Sequence, residues 1–468
     1  MSKQEHLLSD EQMSAYVRDG YVTVQADYPE AFHASNFQQI EAVLETEGNP
    51  KGNIMSRVPA LQDIVDHPRV VGALTSILGP EYYLHSVGGH CHFNEPGNRS
   101  HERGQLHRDG FLFLQHRTRW MILMYYPQDV TADMGPTSIA PGVHYNNAAP
   151  DVDIEVPMCG PAGTVVIVHY DVWHRGMPNR SDKNRYMIKF HVARMEEPDS
   201  PDWNAEDGAW SGTDDSRDGM WSAMWRWHGG GNGAPRPTSA AGLDLDVLMM
   251  ALRGRSEPQA LHAAYELPLL GAEALGPLMA TLREGARPLV EDIPRLAGVE
   301  GIFSASKNAT YALSAMGAPA VSALVEAARD SDEAVREIAV EVLGEMGRQG
   351  RDAEPALVEA LRDDSAPVRR KAADALGTVD DTPSAVPALI DGLGDTDLHV
   401  RGRSALALAR RGPAAEEAVP ALANALGDRR YVHEKAVQAL RRVGTAPATD
   451  ALLKFLVAAK WDSLTRKR

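Results

Sequence analysis

Cysteine is nearly missing. Cys91 and Cys159 are alone among 468 residues, too few to staple a fold of this size, which points to a reducing compartment and a cytoplasmic protein. Long apolar runs are missing too. No stretch approaches the roughly 20 residues that cross a bilayer, and the opening MSKQEHLLSDEQ lacks the apolar segment of a secretory signal. A membrane is therefore not expected as a partner. Positive charge is in deficit: 47 Lys and Arg face 64 Asp and Glu, a formal net charge of -17. A protein that works on phosphate backbones needs the opposite sign, so nucleic acid is excluded as a general partner. What is present is globular. Apolar residues make up 43% and charged residues 24%, which excludes a collagen-like or mostly disordered chain. At about 150 residues per domain, the length predicts two or three domains.

Composition changes near residue 229. Upstream the chain is rich in aromatics, histidines and turns; downstream it is rich in Ala, Leu, Glu and Arg. Between them Gly229-Gly230-Gly231-Asn232-Gly233-Ala234-Pro235-Arg236-Pro237-Thr238-Ser239 reads as a linker. The expected division is a domain over 1–228, a linker over 229–240 and a second domain over 241–468.

The downstream half keeps a period. Val335-Arg336, Val368-Arg369, Val400-Arg401 and Val432-His433 follow one another at 33, 32 and 32 residues, and Leu343, Leu376, Leu408 and Leu440 keep the same register. Each copy reads as two helices. Pro355 suits a first helical turn, Leu357 and Leu361 share a face, and Asp363-Asp364-Ser365 breaks that helix and caps the next. One apolar face per helix cannot be buried alone, but stacked copies bury it, which predicts a helical solenoid. The pattern resembles short HEAT-like repeats of the phycobilisome-lyase type. Weaker copies reach back to about residue 245, with Leu248-Leu252 and Ala323-Leu324 in first helices, and residues 283–305 hold poor register. Arg336, Arg369 and Arg401 are read as structural, each near an Asp of its own repeat.

The upstream half opens with a capped helix from Ser9-Asp10-Glu11-Gln12 to Gly20, and a second helical stretch spans about 59–78. Residues 25–58 and 94–106 read as loops. From residue 82 come short apolar runs, among them 119–126, 164–170 and 185–192, divided by Gly135-Pro136 and Pro141-Gly142. Short strands with such turns predict a sandwich or barrel. Five of eight Trp lie between Trp203 and Trp227, and this tail is read as packing on the barrel.

Two H-x-D pairs stand out, His107/Asp109 and His169/Asp171. On a strand, residues i and i+2 leave the same face. The first pair has company downstream in His174, Asn179, Ser181 and Arg185. His107, Asp109 and His174 would give two imidazoles and one carboxylate, the facial set of non-haem Fe(II) oxygenases, with positions left for a 2-oxo acid and dioxygen. Arg185 could pair with the far carboxylate of that acid. His169 and Asp171 with His107 form a rival set, and His169 is otherwise a structural strand histidine. His90-x-His92 mimics a zinc pair but has no partner at finger spacing.

These residues carry a resemblance. Leu8-Ser9-Asp10-Glu11-Gln12 leading to Asp19-Gly20-Tyr21, then Gly104-Gln105-Leu106-His107-Arg108-Asp109, Met134-Gly135-Pro136-Thr137, Ile139-Ala140-Pro141-Gly142-Val143-His144, and His174 to Ser181 with Arg185 are similar to the phytanoyl-CoA dioxygenase family of Fe(II)/2-oxoglutarate oxygenases. The likeness covers about residues 8–195. It implies a double-stranded β-helix (jelly-roll) core with flanking helices, ahead of the all-α solenoid. It also implies iron on His107, Asp109 and His174, 2-oxoglutarate on Arg185, and Tyr125 near the co-substrate. Gly176 stands where the family often has Ser, which puts one co-substrate hydrogen bond in doubt, and Val143 replaces the usual Ser of a Pro-Gly-Ser-His turn. Asp109 is kept, which favours hydroxylation over halogenation.

The expected activity is hydroxylation of an unactivated C–H in a small molecule, with Fe(II), 2-oxoglutarate and O2, releasing succinate and CO2. The alternatives are an oxygenase whose substrate is a protein or carrier-tethered group recruited by the repeats, or a non-catalytic repeat scaffold. The repeats offer a surface to a protein partner or to a second copy of the chain.

Overall fold

The computed structural model describes residues 6–99, 105–110, 116–150, 154–206, 209–213, 215, 217–231, 242–286, 305–379 and 384–459. The described residues up to Gly231 form one compact unit and those from Gly242 onward the other. Most of the expected linker, residues 232–240, and most of the poor-register stretch 283–305, residues 287–304, lie outside the described residues.

In the first unit α1 (Asp10–Asp19) is closed at both ends. Ser9 and Gln12 form a reciprocal capping box, and Gly20 ends the helix at φ 80°. β1 (Tyr21–Gln25) follows, then α2 (Glu30–Glu47), α3 (Ile54–Arg57), α4 (Leu61–Val65) and α5 (Pro68–Leu78). The expected loop over 25–58 is thus mostly helical. The inward stripe of α2 is His33, Asn36 and Ile40, and its N-cap Pro29 makes no side-chain cap. Two of three buried positions are polar, so the period that betrays an amphipathic helix is hidden.

The strands are β2 (Tyr82–Asn94), β3 (Trp120–Tyr125), β4 (Thr137–Ile139), β5 (Val156–Pro157), β6 (Thr164–His169), β7 (His174–Gly176) and β8 (Arg185–Arg194). Among the described residues they form a five-stranded sheet, order β1-β6-β3-β8-β2, and a three-stranded sheet, order β5-β4-β7. Every pairing is antiparallel, the two-sheet jelly roll. Strands β3 and β6 are near-continuous apolar runs because both of their faces are covered. Ile122, Met124, Val166, Val168 and Met187 fill the interior between the sheets, while Leu123, Ile167 and Ile188 are buried on the opposite face. α6 (Asp218–His228) ends the unit. Its Trp225 meets Trp203 at 4.9 Å, and Trp203 donates to Asp10 of α1 at 2.6 Å. The Trp-rich tail is packing.

The second unit is helical: α7 (Leu245–Leu252), α8 (Glu257–Glu266), α9 (Ala272–Gly285), α10 (Ala305–Met316), α11 (Ala318–Ala327), α12 (Glu333–Glu345), α13 (Glu354–Ala360), α14 (Ala366–Thr378), α15 (Ala385–Gly392), α16 (Leu398–Arg411), α17 (Val419–Ala425), α18 (Arg430–Val443) and α19 (Ala446–Ala459). The Val-Arg motifs open α12, α14 and α16. Each Arg holds the Asp of the next copy, not its own, with two hydrogen bonds: Arg336 to Asp363 (2.8 and 3.0 Å), Arg369 to Asp395 (2.8 and 3.1 Å) and Arg401 to Asp428 (2.6 and 3.1 Å). The Asp of its own copy offers only its main-chain carbonyl, at 3.0, 2.8 and 2.9 Å. The period in the sequence is therefore the rung spacing of an inter-repeat ladder. Gly344 lets α14 come close, since a Cβ there would lie 2.7 Å from that of Ala375.

Candidate metal centre

The jelly roll brings His107 and His174 together through their main chains. Each donates its N–H to the other's carbonyl at 2.9 Å, and β4 fixes β7 from the other side by pairing Ile139 with His174. The two rings lie 4.4 Å apart at 47°. His174 turns Nδ1 to the Val172 carbonyl at 2.9 Å, which leaves Nε2 facing Asp109 Oδ1 at 3.9 Å. One donor atom from each of His107, Asp109 and His174 lies within 4.8 Å of the others. A carbonyl holding Nδ1 while Nε2 is offered to a metal is the usual arrangement of a ligating imidazole.

The segment is clamped on both flanks. Arg108 stacks 4.8 Å over the ring of Trp173, the residue before His174, and Trp173 donates to the Asn146 carbonyl at 3.1 Å. Gly110 is crowded by Asp171, whose Oδ1 lies 1.9 Å from where a Cβ would stand. A side chain there would push Asp109 out of place.

Electrostatics leave the triad ready for a cation. Burial pushes the Asp109 carboxyl up, but the Lys189 ammonium in contact with Oδ2 and the His174 and His191 imidazoles hold it well below the usual range. Burial brings His174 down to about 4. At neutral pH Asp109 is a carboxylate and His174 a neutral imidazole, the protonation states that bind a metal. Two imidazoles and one carboxylate suit iron in a 2-His-1-carboxylate site.

Arg185 opens β8, buried. Its Nε and Nη2 both donate to the Gly135 carbonyl, at 3.1 and 2.9 Å, while Nη1 is buried without a partner. Among the described residues no carboxylate pairs with it. A buried guanidinium with an idle edge and no counter-ion calls for an anion, and a dicarboxylate fits. Asn179 prepares the turn that leads there: its amide donates to the Asn94 and Lys183 carbonyls at 2.9 and 2.8 Å and accepts from Ser181. Gly176 faces Thr137 in register, so a hydroxyl stands across from the position that lacks one.

Tyr125 is placed elsewhere. It lies on the opposite face of β3 from Ile122 and Met124, fully buried, with its hydroxyl 2.9 Å from His33 Nδ1 and 3.4 Å from Asn36 of α2. The structure does not bring it to the triad. Its neighbour Tyr126 has Arg185 beside it and accepts from the Thr137 N–H at 3.4 Å. The rival pair is also outside the cluster: His169 is buried against His144 and Tyr145, and Asp171 against Gly110. His92 is exposed, and the side chain of His90 lies outside what is described.

Lys189 and His191 escaped the sequence reading. The signal was available: counting in twos along β8 from Arg185 puts Met187, Lys189 and His191 on one face. Arg185, Lys189 and His191 on that one face of a largely buried strand mark the interior site.

Residues 6–187 match the phytanoyl-CoA dioxygenase (PhyH) family model, and residues 305–373, 321–409 and 354–441 match HEAT repeats. Among solved structures, this chain is similar to the non-heme alpha ketoglutarate dependent carbocyclase SnoK from nogalamycin biosynthesis (20% identity, 40% of this chain and 85% of that one, TM-score 0.33). It is also similar to the non-heme monooxygenase ThoJ in its Ni complex (18%, 42% and 82%, 0.31) and to apo HygX from Streptomyces hygroscopicus (12%, 40% and 87%, 0.33). Comparison with curated proteins gives no match. The chain thus joins a phytanoyl-CoA dioxygenase-family domain, an oxidoreductase of the non-haem iron and 2-oxoglutarate class, to a run of HEAT repeats.

Proposed function

We propose that His107, Asp109 and His174 hold Fe(II), that Arg185 anchors the far carboxylate of 2-oxoglutarate, and that the enzyme hydroxylates a C–H bond of a small organic substrate. The observation that carries this is the convergence of the three donor groups within 4.8 Å. Bound iron with 2-oxoglutarate and dioxygen supplies the oxidising power, releasing succinate and CO2.

The chain's own residues do the rest. His174, fixed by the Val172 carbonyl, presents a neutral nitrogen, and His107, fixed to His174 through the main chain, presents its ring beside it. Asp109 supplies the one negative charge. The guanidinium of Arg185 sets the depth at which a dicarboxylate sits, and Ile122, Met124 and Met187 keep water from it. The oxygenase is assigned to residues 1–228 and the repeats to 241–468, where a protein partner or a second copy would bind. Two free cysteines suit the cytoplasm.

Anaerobic titration of the purified protein with Fe(II) and then 2-oxoglutarate tests the reading. A metal-to-ligand charge-transfer band is expected in the wild type and not in Asp109→Ala.

A further inference from the structure

The interior face of the barrel changes character at the level of Asp109. Toward Arg185 the interior wall is sealed and mostly aliphatic: Met124, Tyr126, Val166 and Met187 are all at most 3% exposed. Above it the same strands carry rings. β3 turns inward Trp120, β6 runs out into Tyr170, β8 carries His191, and β2 brings His85 opposite His191 in register. These four are only half-buried. They form one chain of contacts: His85 to Trp120 at 5.5 Å, Trp120 to Tyr170 at 5.9 Å, Tyr170 to His191 at 5.2 Å. That chain ends at the triad, with His191 Nε2 3.9 Å from Asp109 Oδ2.

Rings that only closed the barrel would be sealed, as Tyr126 is. Instead all four keep part of their surface exposed, on the wall that runs up to the metal ligands. We infer that Trp120, Tyr170, His191 and His85 form the substrate seat, and that it takes a flat, ring-bearing organic molecule with a hydroxyl or carbonyl on its edge. Ring faces select a planar partner by offset or edge-to-face contact. The imidazoles and the phenol supply hydrogen bonds at the edge. This inference rests on the proposed function, because the seat has meaning only beside a metal at the triad.

The probes are 2-naphthol and its saturated counterpart decahydro-2-naphthol, which shares the skeleton and hydroxyl but is neither planar nor aromatic. Binding of each to the full chain is measured by calorimetry, without oxygen, with and without Fe(II) and 2-oxoglutarate. 2-Naphthol is expected to bind about tenfold tighter than the saturated alcohol, and Trp120→Leu or Tyr170→Leu is expected to remove that preference. Far-ultraviolet circular dichroism identifies the variants that fold, and the second variant decides if the first does not. Equal affinity for the two probes in the wild type, or a preference that survives in a folded variant, overturns the seat. Because the rings belong to the chain itself, the preference is read in the iron-free protein too. Loss of the charge-transfer band in the wild type overturns the metal assignment, independently of the probe result.

Discussion

Lys189 of β8 donates to Oδ2 of Asp109, the anionic member of the triad, while Oδ1 of the same carboxylate faces His174 at 3.9 Å. The carboxylate is thereby split between a cation supplied by the chain and the position where a metal is proposed to bind.

A neighbouring ammonium repels a divalent cation. Lys189→Met should therefore tighten Fe(II) binding by about tenfold or more, measured by competition with a chromophoric chelator. Weaker binding would mean that Lys189 is needed to aim Asp109, against this prediction.

Arg185→Ala should raise the dissociation constant of 2-oxoglutarate by about ten- to a hundredfold, the loss of a charge-assisted pair, with Fe(II) affinity kept. Arg185→Lys should recover only part, because an ammonium cannot offer the same two-pronged edge. Titrating the charge-transfer band against 2-oxoglutarate checks both.

Three histidines away from the triad are buried in neutral form. Burial brings His169 down to about 3 and holds His144 and His228 well below the ordinary imidazole value. Both ring nitrogens of His144 and of His228 lack hydrogen-bond partners. The unfolded chain takes up protons at these sites near pH 6.5 and the folded chain does not, so stability rises with pH and falls as pH drops below about 6.5. At pH 5 the loss from His169 alone is about 2 kcal/mol. Thermal unfolding from pH 7 to pH 5 should show a falling midpoint, and His169→Gln should flatten the decline.

The solenoid ladder makes a separate prediction. Arg369 and Asp395 are 14% and 13% exposed at their side chains, and their bond joins adjacent copies. Asp395→Ala should cost about 1-2 kcal/mol in urea unfolding of the helical unit, with the Fe(II) band unaffected. A double-mutant cycle with Arg369→Ala should return most of that as coupling.

How much of this was legible in the sequence follows from where each signal resides. The repeat helices were legible because Val335, Val368 and Val400 recur in strict register, but the partner of each Arg was not. Arg336 reaches 27 residues ahead to Asp363, and only stacking shows that the next Asp is nearer than its own. Ser9, Gln12 and Gly20 wrote α1 plainly through cap chemistry. α2 was missed because His33 and Asn36 occupy its buried stripe, and they are buried to hold Tyr125. That one interaction also explains why Tyr125 faces α2, away from the triad: β-strand parity decides it, and residue 126 has the parity that residue 125 lacks. The donor set His107, Asp109 and His174 rested on spacing and motif together, and the fold brings these groups, not His169 and Asp171, within reach of a common ion. Lys189 could be counted in twos from Arg185 along β8, but the ring wall needed the register of β8 against β2 and β3, which a single strand does not carry.

The measurement that tests the central claim most directly is Fe(II) binding to the whole chain under anaerobic conditions, followed by 2-oxoglutarate, with His174→Ala alongside. One Fe(II) per chain and a charge-transfer band on adding 2-oxoglutarate, both lost in His174→Ala, is the result expected of a centre built on His107, Asp109 and His174. A wild type that binds no iron, or a band that persists in His174→Ala, would contradict it.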